Sequence, residues 1–97
     1  MMFALVAKLR VDPADGARLE AAFAEAAQGV REKEPDTLVY HLARIRGTEG
    51  EYRVLELYRS EEAFKVHLAS DHFQAFRPKM AALVVAPPEA ERLDVVI

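Results

Sequence analysis

The chain has 97 residues, a formal net charge of -3, 52% hydrophobic and 30% charged side chains, and no cysteine. That length supports one domain with a thin core, and the composition is that of a globular chain rather than a disordered one. The charge excludes the cationic footprint that nucleic acid requires, the basic residues form no patch for an anionic membrane, and the missing thiols exclude disulfides, cysteine nucleophiles, zinc–thiolate sites and iron–sulfur clusters.

Residues 2 to 11 read as a strand with apolar side chains on both faces: Phe3, Leu5, Ala7, Leu9 and Val11 on one, Met2, Ala4 and Val6 on the other. Lys8 and Arg10 interrupt this apolar start, which has no basic leader and is too short for a secretory core, so the expected compartment is the cytoplasm. Asp12-Pro13 carries a helix-opening signal, a capping carboxylate followed by a proline suited to the first turn. Leu19, Ala22, Phe23, Ala26, Ala27 and Val30 then recur at helical spacing, and the polar run from Arg31 to Glu34 with Pro35 ends the helix.

Two strands follow, Thr37 to Arg46 and Glu51 to Arg59, joined through Gly47-Thr48-Glu49-Gly50. Strict alternation places Leu38, Tyr40 and Leu42 on one face of the first and Val39, His41, Ala43 and Ile45 on the other. Ser60 caps a second helix whose inward residues are Ala63, Phe64, His67 and Leu68. Ser70-Asp71 breaks and recaps it, and a third segment aligns Phe73, Phe76, Arg77, Met80, Leu83 and Val84, with Pro78 as a candidate kink. After Pro87-Pro88, residues 92 to 97 alternate as a last strand. The order is β-α-β-β-α-β with the second helical region split in two, a single domain over residues 1–97 of the α+β, ferredoxin-like class with an antiparallel sheet. Because helices cover only one face of such a sheet, apolar side chains on the other face call for a second copy of the chain packed sheet to sheet.

The run Tyr52-Arg53-Val54-Leu55-Glu56-Leu57-Tyr58-Arg59-Ser60-Glu61-Glu62-Ala63-Phe64, then His67-Leu68-Ala69-Ser70-Asp71-His72-Phe73 and Phe76, resembles the signature of antibiotic-biosynthesis-monooxygenase domains. Leu38-Val39-Tyr40-His41-Leu42 also stands where members have their second strand. The resemblance implies a dimeric α/β barrel, a pocket between sheet and helices in each subunit, and oxidation of phenols, quinols or anthrone-like polyketides by molecular oxygen, in many members without metal, flavin or haem. It also includes a haem-degrading branch, which uses an Asn, a Trp and a His where this chain has Ala7, His67 and Arg77; those departures argue against haem.

Among candidate site residues, His67 holds the family's histidine position and is suited to take a phenolic proton near neutral pH, or else is a core histidine hydrogen-bonded to the sheet or partner. Glu56, mid-strand among aromatics, is either a base or orienting partner for His67, or an ion-pair partner of Arg44 or Arg77. Tyr40, Tyr58, Phe73 and Phe76 offer an aromatic wall for a planar substrate or simply core. His41 lines either the pocket or the dimer face, His72 is a pocket residue or a plain first-turn residue of the third helix, and Arg77 is a candidate for a substrate anion or for Glu56. His67 and His72 stand five apart across a helix break with no acid at a recognised ligand spacing, so no metal site is expected. The leading expectation is a cofactor-independent monooxygenase for a small aromatic, quinol-like substrate and oxygen. The alternatives are a dimeric small-molecule-binding or stress-associated protein without turnover, or an isomerase on the same fold.

Overall fold

A computed structural model describes residues 1–97. The elements are β1 (Phe3–Arg10), a 3-10 turn (Pro13–Asp15), α1 (Gly16–Lys33), β2 (Thr37–Arg44), β3 (Glu51–Tyr58), α2 (Glu61–Ala69), α3 (Asp71–Leu83) and β4 (Glu89–Asp94). The strands form one antiparallel sheet in the order β2-β3-β1-β4, the ferredoxin-like arrangement expected from the element order. No helix is long and apolar enough to cross a membrane.

Local chemistry sets the element boundaries. Asp12 accepts a hydrogen bond from the Ala14 N–H at 2.9 Å, but this cap opens the 3-10 turn, and α1 begins only at Gly16. Ser60 caps α2 by accepting from the Ala63 N–H at 3.2 Å. Ser70 ends α2 and caps α3, accepting from the Phe73 N–H at 3.2 Å. α3 continues through Pro78 to Leu83. The last strand lies at 89–94, earlier than the 92–97 read from alternation, because it is positioned by pairing with β1, Leu5 opposite Arg92 and Ala7 opposite Ala90.

The pairing of β2 with β3 shifts between Thr37 and Val39. This bulge leaves Leu38 as the extra residue, 40% exposed, and turns Thr37 to the same face as its partner Tyr58. Simple alternation, which grouped Leu38 with Tyr40 and Leu42, fails here because a bulge inserts one residue into one strand only.

Helices cover one sheet face. The stripe Leu19, Ala22, Phe23, Ala26, Ala27 and Val30 of α1 is buried, and all but Val30 form, with Leu9, Val11, Tyr52, Val54 and Phe76, the larger part of the core. A second cluster joins Phe3, Leu5, Tyr58, Ala63 and Phe64. Ala7, on the central strand β1, packs against both clusters. The other sheet face carries Ala4 and Val6 of β1, Val39 of β2, Leu55 and Leu57 of β3 and Leu93 of β4, aligned by the strand registers. Leu55 and Leu93 are 39% and 43% exposed.

The β2–β3 hairpin is tied to the end of β1 at Gly50, whose carbonyl accepts from the Val11 N–H at 2.9 Å. A Cβ there would stand 2.2 Å from the Val11 carbonyl oxygen, a backbone atom that cannot move aside without breaking this link. Gly50→Ala is expected to destabilise the fold by about 1–3 kcal/mol, the usual cost of overpacking, read as a lower midpoint in thermal or urea unfolding.

Candidate active site

Between the two core clusters lies a cavity of about 150 Å³. Its sheet wall is Leu5, Ala7, Leu9, Val54 and Glu56 from β1 and β3, with Tyr40 from β2; its helix wall is Phe23, Phe64, His67, Leu68, Phe73, Phe76 and Met80. The hole exists because the central strand presents only a methyl group at Ala7, where the neighbouring inward positions Leu5 and Leu9 present larger side chains. Two polar side chains with titratable groups other than phenols, His67 and Glu56, reach this otherwise apolar space.

His67 is 1% exposed. Its ring is held between Tyr40 and Phe73, each with a centroid 4.9 Å away. Nδ1 faces the carboxylate of Glu34 at 2.9 and 3.1 Å. Glu34, itself 6% exposed, also accepts a hydrogen bond from the Thr37 hydroxyl at 2.7 Å and one from Nε2 of His72. Burial alone would raise the Glu34 pKa, but the hydrogen bonds of Thr37, His67 and His72 outweigh it and hold the group below the usual carboxylate range. An ionised carboxylate can only accept, so Nδ1 of His67 carries the proton and Nε2 keeps a lone pair. Burial lowers the His67 pKa against the opposing pull of Glu34, which keeps the imidazole neutral. The arrangement is a tautomer-fixed base lining an apolar cavity.

Glu56 sits opposite Leu5 on one side and Tyr40 on the other. Its one hydrogen-bond partner is the Tyr58 hydroxyl, which donates at 2.5 Å. Neither arginine considered from the sequence reaches it: Arg44 pairs with Glu20 at 3.8 Å, and Arg77 lies on the exposed side of α3. Burial is the main cause that lifts its pKa from 4.5 to about 7, with the charge of Glu34 adding to it and the Tyr58 bond opposing it. Burial and the same nearby carboxylates push the phenols of Tyr40 and Tyr58 well above their ordinary value, so both remain neutral donors.

The sequence candidates therefore divide. His67, Glu56, Tyr40, Phe73 and Phe76 meet at the cavity. Tyr58 is fully buried behind it, bonded to Glu56 and with its ring centroid 5.7 Å from that of His67. His72 lies off the cavity and touches the site through Glu34. His41 is exposed on the far sheet face, paired with Leu55, and Arg77 points to solvent; neither lines the cavity, since strand parity and helix phase carry both away. Glu34 and Thr37 were missed. Glu34 reads as one more charge in the polar run that ends α1, yet an acid at a helix C-terminus opposes the helix dipole, and that mismatch was the available signal.

These features define a small ferredoxin-like protein with a carboxylate-held histidine beside an apolar cavity. The sequence profile of the antibiotic biosynthesis monooxygenase family matches residues 2–79, and the chain belongs to that family. A crystal structure from Caulobacter crescentus CB15 named for the same family is 42% identical, covers 99% of this chain and 91% of its own, and superposes with a TM-score of 0.93. A Mycobacterium tuberculosis protein superposes with a TM-score of 0.90 at 24% identity, covering 100% and 97% of the two chains. A Nitrosomonas europaea protein does so with 0.89 at 14% identity, covering 98% and 99%. At those identities the likeness is one of fold alone. No curated protein matches the chain.

The raised Glu56 pKa fixes the sign of one prediction. The folded state holds this proton more tightly than the unfolded chain, so the contribution to stability is complete below about pH 4.5 and is lost as pH rises through about 7. Glu56→Gln, which keeps an acceptor for Tyr58, removes that loss. The variant should gain on the wild type by up to about 3 kcal/mol between acid and mildly alkaline pH, measured as the difference in urea midpoints. An equal difference at both pH values would show an ordinary carboxyl.

Proposed function

We propose that the protein is a cofactor-independent monooxygenase for a single-ring, quinol-like substrate. The observation that carries this reading is the neutral, tautomer-fixed imidazole of His67 lining an apolar, aromatic-walled cavity. Nε2 takes a phenolic proton, and the resulting electron-rich anion reacts directly with molecular oxygen. One oxygen atom enters the ring and the other leaves as water, so the quinol supplies all four electrons and emerges as a hydroxyquinone. Glu56, partly protonated near neutral pH, supplies the proton needed as the oxygen–oxygen bond breaks. Family membership supports oxygen chemistry, and the cavity volume supports a small substrate: a space of about 150 Å³ suits one benzene-like ring better than a fused tricycle.

The functional unit on this reading is a homodimer joined through the uncovered sheet face. Ala4, Val6, Val39, Leu55, Leu57 and Leu93 make that face too broadly apolar for a soluble monomer, and an identical sheet covers it with two-fold symmetry. Light scattering should give twice the chain mass, and Leu55→Asp, which places a charge in the middle of the face, should shift the population toward monomer. A monomeric wild type at micromolar concentration would refute the dimer.

Oxygen uptake by metal-free protein tests the chemistry. Single-ring hydroquinones should be oxidised well above their spontaneous rate and anthrones should not. His67→Ala should lose about 10²–10⁴-fold, the usual contribution of a positioned base. Ala7→Leu should abolish turnover while leaving the fold intact, because it fills the hole rather than removing a reacting group. Ring binding without uptake would make the protein a binding module, and His67-dependent proton exchange without uptake would make it an isomerase.

A further inference from the structure

We propose that Glu34, His67 and His72 form a binding site for one divalent first-row transition-metal ion, of the zinc class. One donor atom from each lies within 4.8 Å of the other two. Ligand atoms held at ~2.0–2.2 Å from a shared zinc ion stand about 3 Å apart or slightly more, and Nδ1 of His67 is 2.9 Å from the nearer oxygen of Glu34. Two imidazoles with one carboxylate are the donor set that borderline ions favour over magnesium or calcium, which seek oxygen alone.

Three separate segments are brought to this point. Glu34 follows the last turn of α1, His67 stands in the last turn of α2, and His72 in the first turn of α3. The Thr37 hydroxyl occupies one carboxylate oxygen at 2.7 Å, while both imidazoles turn to the other. Such an outer partner orients a ligating carboxylate. The backbone of α1 also makes room: a Cβ on Gly29 would fall 2.4 Å from Cγ of the His72 ring, so this ring can lie against α1 only because that position is glycine.

The site has its own access. Glu34 and His72 border a cleft of about 400 Å³ with Lys33, Ser70 and Asp71 on its rim, whereas His67 faces the aromatic cavity instead. An ion enters from the cleft and meets the Nδ1 side of His67. The proposal therefore stands whether or not the cavity turns over a quinol, and metal binding can be measured without any substrate.

Isothermal titration of the dialysed full chain with zinc chloride should show saturable uptake of one ion per chain, and cobalt(II) should develop the visible bands of a low-symmetry nitrogen–oxygen site. His72→Gln keeps an amide donor for Glu34 and so preserves the hydrogen bond, but removes the ligand; it should weaken zinc by about 10-fold or more. His41→Ala, on the far sheet face, should leave binding unchanged. Zinc should also raise the melting temperature of the wild type more than that of His72→Gln. No saturable binding by the wild type, or equal affinity in His72→Gln, would overturn the site and leave a purely hydrogen-bonded clamp. Neither result alters the oxygen uptake of metal-free protein, so the two readings fail separately.

Discussion

A buried carboxylate has to be satisfied, and much of this molecule is arranged around that requirement at Glu34. Leaving an ionised group unpaired inside a protein costs several kcal/mol. Here the cost is offset by three donors that reach Glu34 from three directions. The bulge at Leu38 turns Thr37 inward so that its hydroxyl can bind. The break at Ser70 sets His67 and His72 on two different helices, so that both imidazoles point at one oxygen. Gly29 lets the second ring approach α1. Each device looks like a local irregularity when taken alone, and together they satisfy one charge.

The second constraint is volume. Ala7 leaves a gap in the middle of the sheet, and the two core clusters close around it rather than into it. An apolar hole of this size lowers stability through lost contacts, and placing Glu56 on its wall adds a carboxyl with no cation to balance it. Both are costs that a merely structural core would avoid, by a leucine at position 7 and a methionine or leucine at 56. The same low-polarity surroundings lift the Glu56 carboxyl to about 7 and lower the His67 pKa, so that an acid still holding its proton and a neutral base share one cavity. Environment, rather than residue type, gives the two groups complementary roles.

Much of this was legible in the sequence and part was not, for physical reasons. The order of elements follows from periodicity and from Asp12, Ser60 and Ser70, whose caps act over two or three residues. The faces of Glu56 and Tyr40 stayed open because β3 and β2 carry large side chains on both sides. His67, Phe73 and Phe76 could be placed with the apolar neighbours that set the phase of their helices. His41 and Arg77 could not, because β2 is apolar on both faces and α3 carries no clean polar side to orient it. The role of Glu34 was illegible for a different reason. Its position against the α1 dipole marks it as out of place, but its two histidine donors stand 33 and 38 positions away in sequence, and no local pattern encodes contacts at such separations. The bulge at Leu38 belongs to the same class, since register shifts are set by the partner strand.

The two sides of His67 connect the clamp to the cavity. With a proton on Nδ1, bound to Glu34, Nε2 presents a lone pair to the cavity and is a base. With a metal ion on Nδ1, a neutral imidazole must carry its proton on Nε2 and becomes a donor. Tyr40 and Phe73 pack against the ring with centroids 4.9 Å away, which opposes its turning over. If the proposed metal site fills, the side of His67 that meets the cavity would become a donor instead of a base. No backbone movement would be required for this coupling, since the imidazole itself is the connection.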